Sequence, residues 1–140
     1  MGNAESIARE MIDAITRNDM AAYKETLHPE YSYRGPDGQV QRGPDAGVAI
    51  VQTYRTAFPD DMSLDIKNIH SAGDTAIVEF VGKGTHKGDL AGIPPTGRRV
   101  EIPIVTVLEM RDGKVHTERE YFDNAHMLQQ LGLMPAAATA

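Results

Sequence analysis

The stretch Asp112–Asp123, with the sequence DGKVHTEREYFD, predicts a tight turn followed by a single strand. The Asp-Gly pair at its start favours a two-residue hairpin turn, and the β-branched and aromatic residues after it favour a strand. Side chains alternate between the two faces of a strand. One face therefore carries His116, Glu118, Glu120 and Phe122, and the other carries Thr117, Arg119 and Tyr121. A buried carboxylate is costly without compensating partners, so Glu120 is a functional candidate if its face is buried.

Three further strands are predicted before this one. Arg99–Arg111 is almost wholly apolar in its middle, which is typical of a strand buried on both faces. In Thr75–Thr85 the side chains alternate, with Ile77, Glu79 and Val81 on one face and Ala76, Val78 and Phe80 on the other. A strand that begins at Met62 changes step after Ile66, which predicts a bulge near Lys67-Asn68. These strands follow one another closely, so we expect a largely antiparallel sheet.

Helices are predicted mainly in the first half of the chain. Apolar residues recur at helical spacing in four segments, namely 7–15, 20–27, 44–58 and the residues that follow Asp123 or Asn124 as an N-cap. Pro29 stops the second helix and Pro44 opens the third. Short strands at 31–34 and 39–41 are predicted between these two helices.

Helices followed by long strands predict an α+β fold. We expect a cone-shaped, curved antiparallel or mixed β-sheet that is wrapped around the N-terminal helices and encloses a hydrophobic pocket. A chain of 140 residues fits one core, so residues 1–135 are predicted to form a single domain and 136–140 a flexible tail. The pocket is the expected place for function.

Composition narrows the classes of partner. The net charge of −6 argues against a nucleic acid partner. The absence of cysteine excludes thiolate chemistry and fits a cytoplasmic location. No apolar run approaches the roughly 20 residues that span a bilayer, and no secretory signal is visible at the N-terminus, so we expect no membrane association. HExxH-type metal motifs and glycine-rich phosphate loops are missing, so no metal or nucleotide site is predicted.

Several motifs are spread over most of the chain. They are His28-Pro29-Glu30-Tyr31, Gly43-Pro44, Gly84-Thr85-His86-Lys87-Gly88, Gly92-Ile93-Pro94-Pro95-Thr96-Gly97-Arg98-Arg99, Asp112-Gly113-Lys114, Glu118-Arg119-Glu120-Tyr121-Phe122-Asp123 and Gln130-Leu131-Gly132. In this combination the chain resembles the SnoaL-like polyketide cyclases, which have the nuclear-transport-factor-2-like α+β cone.

The resemblance implies an intramolecular aldol ring closure without metal or cofactor. The cyclases use a carboxylic acid three residues before the Asp that ends the last strand, and here that position is Glu120 in place of Asp. Where the cyclases carry a Gln and a His in the pocket, this chain has Ile104 and Thr106, which implies a more apolar pocket. The related limonene epoxide hydrolases add an Arg-x-Asp pair at positions that are Glu79 and Val81 here, and the missing Arg argues against that form of epoxide hydrolysis.

The chemistry expected of Glu120 depends on its surroundings. A base that removes a proton from carbon between two carbonyls works best with a pKa near the operating pH. Burial against apolar neighbours such as Ile104 would raise the pKa of Glu120 from about 4.3 toward about 6 or 7. The alternative is a strand glutamate in an ion pair with an arginine, a role that Glu118 or Arg119 could share.

Five other side chains are candidate pocket residues. Glu79 could supply a second carboxylate, which would split the two pKa values into an acid and a base, or it could be solvated or ion-paired. His86 could bond a substrate carbonyl or anchor the proline-rich loop. Tyr33, Tyr54 and Thr106 could donate hydrogen bonds to a developing enolate, or could be ordinary core or rim residues.

The sequence thus predicts a cofactor-independent cyclase or isomerase that acts on a small hydrophobic, polyketide-like activated carbonyl compound. A non-catalytic small-molecule binding protein, an isomerase or epoxide hydrolase of the same fold, and a pure dimerisation module with a filled cone remain as alternatives. Val105 and Val107, together with Phe80, suggest an apolar outer sheet face, so a homodimer or higher homo-oligomer is expected.

Overall fold

The computed structural model describes residues 3–135, which form four helices and six strands. The helices are α1 (Asn3–Thr16), α2 (Met20–Glu25), α3 (Pro44–Ala57) and α4 (Asn124–Gln130). The strands are β1 (Leu27–Arg34), β2 (Val40–Arg42), β3 (Ser63–Ala72), β4 (Thr75–Thr85), β5 (Arg99–Arg111) and β6 (Lys114–Tyr121). The predicted tail at 136–140 lies outside the described residues.

The six strands form one curved sheet in the order β2-β1-β6-β5-β4-β3. All neighbours are antiparallel except β1 and β6, which run parallel. The sheet is therefore mixed, the helices precede most of its strands, and the predicted α+β fold is confirmed. No helix among residues 3–135 combines the length and the apolar character that crossing a membrane requires.

The start of β1 differs from the prediction. Helix α2 ends at Glu25, and β1 already begins at Leu27, where the sequence predicted continued helix. The carbonyl of Thr26 accepts a hydrogen bond of 2.8 Å from the Val115 amide of β6, so the chain is drawn into the sheet. Pro29 lies where the pairing of β1 with β6 is irregular, between Leu27 and Ser32, so its missing N–H interrupts no regular ladder.

The predicted bulge in β3 is confirmed by a register shift between Ile66 and Asn68.

The prediction that β5 is buried on both faces is wrong, because Ile102, Thr106 and Leu108 are buried whereas the alternate residues are exposed or half-buried. Within residues 3–135, the helices cover the concave face of the sheet and leave its outer face open.

The apolar patch on the outer face of the sheet differs from the one expected. Phe80 is 4% exposed and belongs to the core on the concave face, so it does not join Val105 and Val107 on the outside. Ile77 takes its place there, paired with Val107 across β4 and β5 and 39% exposed.

Buried side chains form two clusters on the concave face. The first joins α1 and α2 to β1, β4 and the middle of the sheet. The second joins the end of α3, the start of β5 and α4. A cavity remains between the clusters, and several residues of both line it.

Helix α4 is held to the free edge of β5. β6 pairs with β5 only from Val105 onward, so the first residues of β5 have no strand on that side. The side-chain amide of Gln130 takes over this pairing, because its oxygen accepts from the Glu101 amide at 2.7 Å and its nitrogen donates to the Glu101 carbonyl at 2.9 Å. This double hydrogen bond positions α4 over the cavity.

Replacement of Gln130 by Leu should therefore lower the free energy of unfolding by about 1–2 kcal/mol, since the two hydrogen bonds to Glu101 and an exposed one to His126 at 2.9 Å are lost. Gln129→Leu is the matched control, because Gln129 forms no side-chain hydrogen bond within residues 3–135, and it should change stability by less than about 0.5 kcal/mol. Urea unfolding of both variants measures the difference. Equal stabilities would contradict the assigned role of Gln130.

Candidate active site

The cavity lies between the helices and the concave face of the sheet. Its volume of about 120 Å³ is enough for several water molecules or for part of a small organic molecule. Its wall is mostly apolar, with Met11, Ile12, Ile15, Ile50, Val51, Phe58, Met62, Leu64, Phe80, Val100, Ile102, Ile104, Phe122 and Met127. Its polar side chains are Tyr23, Tyr31, Tyr33, Tyr54, Lys83, Glu118 and Glu120.

Glu120 faces this cavity from the end of β6. Its Oε1 accepts a hydrogen bond of 2.7 Å from the hydroxyl of Tyr33 on β1. Burial, followed by the negative charge of Glu118, raises the pKa of Glu120 to about 7, and the hydrogen bond from Tyr33 opposes that rise. At neutral pH Glu120 is therefore present both as an acid and as a base.

Glu118 is the second carboxyl of the cavity. Its two oxygens accept hydrogen bonds from the Tyr31 hydroxyl at 2.6 Å and from the Thr106 hydroxyl at 2.7 Å. Burial raises the pKa of Glu118, whereas these two hydrogen bonds lower it. Glu118 shares its strand face with Glu120, and that shared face was the signal that could have identified it, although the sequence indicated only a possible ion-pair role for Glu118.

Pairing of the strands positions all of these groups. The parallel register of β1 and β6 sets Tyr33 beside Glu118, and each tyrosine of β1 reaches a carboxyl of β6. The antiparallel register of β5 and β6 sets Thr106 beside Glu120, from where it reaches Glu118. Burial, then the charge of Glu120, raises the pKa of Tyr33, so its hydroxyl keeps its proton and acts as a donor.

Three of the six predicted pocket residues line the cavity, namely Tyr33, Tyr54 and Ile104. Thr106 does not line it but is fully buried behind Glu118 as a hydrogen-bond donor. Burial, then the charge of Glu120, raises the pKa of Tyr54 to about 12, so this hydroxyl also stays protonated near neutral pH.

Glu79 and His86 lie elsewhere. Glu79 is exposed on the outer face of β4, 3.6 Å from His70, so the second carboxyl is Glu118 and not Glu79. His86 is fully buried away from the cavity, and its Nδ1 is 3.1 Å from the Thr96 hydroxyl and 3.2 Å from the Thr96 amide. Of the two roles considered for His86, the structure supports that of loop anchor.

A wider cleft adjoins the cavity. It has a volume of about 600 Å³ and shares Tyr33, Ile50, Tyr54 and Phe122 with the inner wall. Its other walls come from residues after β1, from α3, from the proline-rich loop and from the start of α4, namely Gly35, Pro36, Asp37, Gln41, Thr53, Ala91 and Asn124. The inner cavity therefore adjoins a larger and more polar cleft, which we call the vestibule.

A group of potential metal ligands lies at another place in the fold. His28, Glu30 and His116 bring ligand atoms within 4.8 Å of one another, although sequence spacing predicted no metal site. None of the three lines the cavity. Both ring nitrogens of His28 already have partners, since Nδ1 accepts from the Glu30 amide at 2.9 Å and Nε2 is 3.2 Å from Asp112. These two contacts give His28 a structural role, in which it connects the start of β1 to the turn before β6.

Comparison with known protein families gives one matching model, described as SnoaL-like polyketide cyclase, over residues 5–131. Among curated proteins, aklanonic acid methyl ester cyclase AcmA of Streptomyces galilaeus is 29% identical over 132 residues, covering 92% of each chain. Nogalonic acid methyl ester cyclase of Streptomyces nogalater is 29% identical over 123 residues, covering 87% of this chain and 92% of the relative.

The chain is also similar in fold to solved structures. IdmH of Streptomyces antibioticus, a candidate polyketide cyclase, superposes with a TM-score of 0.81 at 25% identity and covers 92% of this chain and 98% of its own. AclR of Streptomyces galilaeus, a candidate hydroxylase, superposes with a TM-score of 0.85 at 25% identity and covers 99% of this chain and 86% of its own.

The raised pKa of Glu120 has a consequence for stability. In the unfolded chain a glutamate has its ordinary pKa, so the folded state binds the proton more tightly. Glu120 therefore favours folding at acid pH, and this contribution is lost as the pH rises from about 4.5 to about 7. Glu120→Gln should thus stabilise the protein at pH 8 by on the order of 3 kcal/mol, and by clearly less at pH 5. Urea unfolding at the two pH values measures this.

Glu109→Gln is the matched control. Glu109 lies on the outer face, and hydrogen bonds from Arg119 and Thr117 lower its pKa, so its replacement should not stabilise the protein at pH 8. An equal response of the two variants would contradict the assigned burial of Glu120.

Proposed function

The chain belongs to the SnoaL-like polyketide cyclase family, and we propose that it closes a ring in a polyketide-like carbonyl compound by an intramolecular aldol reaction. Its curated relatives are named cyclases of methyl esters, so we infer a substrate with an acidic carbon between a ketone and an ester. The observation that carries the proposal is the position of Glu120, whose carboxyl faces an apolar cavity and accepts a hydrogen bond from Tyr33. These surroundings raise its pKa to about 7.

Glu120 performs both proton transfers in this proposal. Its ionised form removes a proton from the carbon between the two carbonyls and leaves an enolate. The enolate carbon then attacks a second carbonyl carbon of the same molecule, which forms the new C–C bond and turns that carbonyl oxygen into an alkoxide. Protonated Glu120 returns its proton to the alkoxide. Atoms and electrons balance without any further reactant.

The Tyr33 hydroxyl can donate a hydrogen bond to whichever group carries the negative charge during these steps. While Glu120 is ionised, the Tyr33 hydroxyl donates to it at 2.7 Å. Once Glu120 has taken the substrate proton, that hydroxyl is free to donate to the enolate oxygen. Tyr54 on the wall formed by α3 keeps its proton as well and provides a second donor. Such donors stabilise negative charge best where water is excluded.

The two compartments suggest how a larger substrate would bind. The inner cavity, at about 120 Å³, accommodates only the reacting part of a polyketide. The remainder would occupy the vestibule of about 600 Å³, in contact with the shared side chains of Tyr54 and Phe122. The aromatic rings at this junction would hold the reacting carbon near Glu120.

Glu120→Gln tests the proposal directly. With aklanonic acid methyl ester and nogalonic acid methyl ester as probes, the wild type should form cyclised product, and the variant should lower kcat by at least about 100-fold, because general acid–base catalysis contributes that much or more. Ligand binding should stay nearly unchanged, since Gln keeps the size of the side chain. Chromatography of the products gives the rates.

Glu109→Gln controls for the loss of one carboxylate and should turn over like the wild type. Failure of the wild type to convert either ester, or normal turnover by Glu120→Gln, would refute the proposed reaction.

A further inference from the structure

Glu118 is a costly residue that the reaction as described does not use. Both of its oxygens are hydrogen-bonded, yet among residues 3–135 no cation forms an ion pair with it. The cation on the cavity wall, Lys83, has its Nζ 3.4 Å from the carboxylate of Asp65. An uncompensated buried charge destabilises a fold, so a neutral side chain at this place would give a more stable protein.

The hydrogen bonds of the two carboxyls are unequal. Glu118 accepts from two hydroxyls, those of Tyr31 and Thr106, whereas within residues 3–135 Glu120 accepts from Tyr33 alone. Hydrogen bonds donated to a carboxylate favour its ionised form. When the pair holds a single proton, that proton therefore resides on Glu120 and the charge on Glu118.

Other titratable groups do not cancel this charge. Tyr31 from β1 and Tyr23 from α2 lie on the side of Glu118, and burial, with the charge of Glu118 next, raises the pKa of both, so they stay neutral. Tyr33 and Tyr54 lie on the side of Glu120 and stay neutral for the same kind of reason. Glu120 therefore experiences the field of Glu118 in an apolar environment, where like charges interact strongly.

We propose that Glu118 is a positioning residue of the reaction, a carboxylate that remains ionised throughout turnover and whose fixed charge makes Glu120 a stronger base. This inference rests on the proposed function of Glu120. The proposal makes chemical sense because a C–H group between two carbonyls is a much weaker acid than an ordinary carboxylic acid. A more basic carboxylate reduces the difference in pKa between the C–H group and the base, and so speeds the proton transfer. Tyr31 and Thr106 then act through Glu118, because they hold it in the ionised form.

A titration without substrate tests the inference. The side-chain carboxyl carbons of isotopically labelled glutamate report each protonation step by NMR. In the wild type, Glu118 should titrate below Glu120. In Glu118→Gln, the Glu120 midpoint should fall by about one pH unit or more, as expected on removal of a nearby like charge. Glu118→Asp, which keeps the charge, should retain most of the elevation, and Glu109→Gln on the outer face should leave the midpoint unchanged.

An unchanged Glu120 midpoint in folded Glu118→Gln would overturn the inference. So would a wild-type titration in which Glu118, and not Glu120, takes up the proton near pH 7, and this second result needs no variant to fold. The assay of ring closure adds an independent readout, since the acid limb of the pH profile of kcat/KM should move down by the same shift in Glu118→Gln. Normal turnover by Glu120→Gln would refute only the proposed reaction. The interaction between Glu118 and Glu120 would still be tested, because the titration measures it without substrate.

Discussion

Placing the buried carboxyl of Glu118 and the half-buried carboxyl of Glu120 in an apolar cavity costs free energy, because each carboxylate loses part of its water. In the part of the chain that the structure describes, hydroxyl donors and not cations offset that cost. Tyr31 and Tyr33 of β1 reach across to β6, and Thr106 of β5 reaches Glu118 from the other side. Since these donors only partly replace water, the carboxyls remain basic. An arginine in place of these hydroxyl donors would lower the pKa of Glu120, and Glu120 would then be a weaker base.

This arrangement depends on two distant parts of the chain. Each tyrosine of β1 is 87 residues away from its glutamate in sequence, and they meet only because β1 and β6 are paired in parallel. The helices then cover the concave face, and the Gln130 amide holds α4 to the open edge of β5. The fold and the basicity of the site are thus consequences of the same packing.

The sequence predicted those strands and faces that a local pattern of residues indicates. Alternation in 75–85 and 112–123 identified β4, β6 and the face that Glu120 shares with Phe122, and the change of step in β3 identified its bulge. Alternation does not reveal which face the helices cover, so Glu79 and Phe80 were assigned to the wrong sides. The resemblance to the cyclases was needed to single out Glu120 from the other strand glutamates.

Non-local information explains the remaining differences. The role of Glu118 depends on Tyr31 and on the parallel pairing of β1, which no local pattern indicates. The apolar run in β5 suggested two buried faces, but whether a face is covered depends on where the helices pack. His86 is a loop anchor because the loop returns to it at Thr96, and spacing alone could not decide between that role and contact with substrate.

The most direct test of the central claim is the pKa of Glu120 in the wild-type protein, measured from its carboxyl carbon signal across a pH titration and assigned with Glu120→Gln. A midpoint near 7 is expected, because burial and the charge of Glu118 both disfavour its ionised form. A midpoint close to that of a free glutamate, about 4.3, would show a solvated or ion-paired side chain and would contradict the account of Glu120 as the base of the reaction.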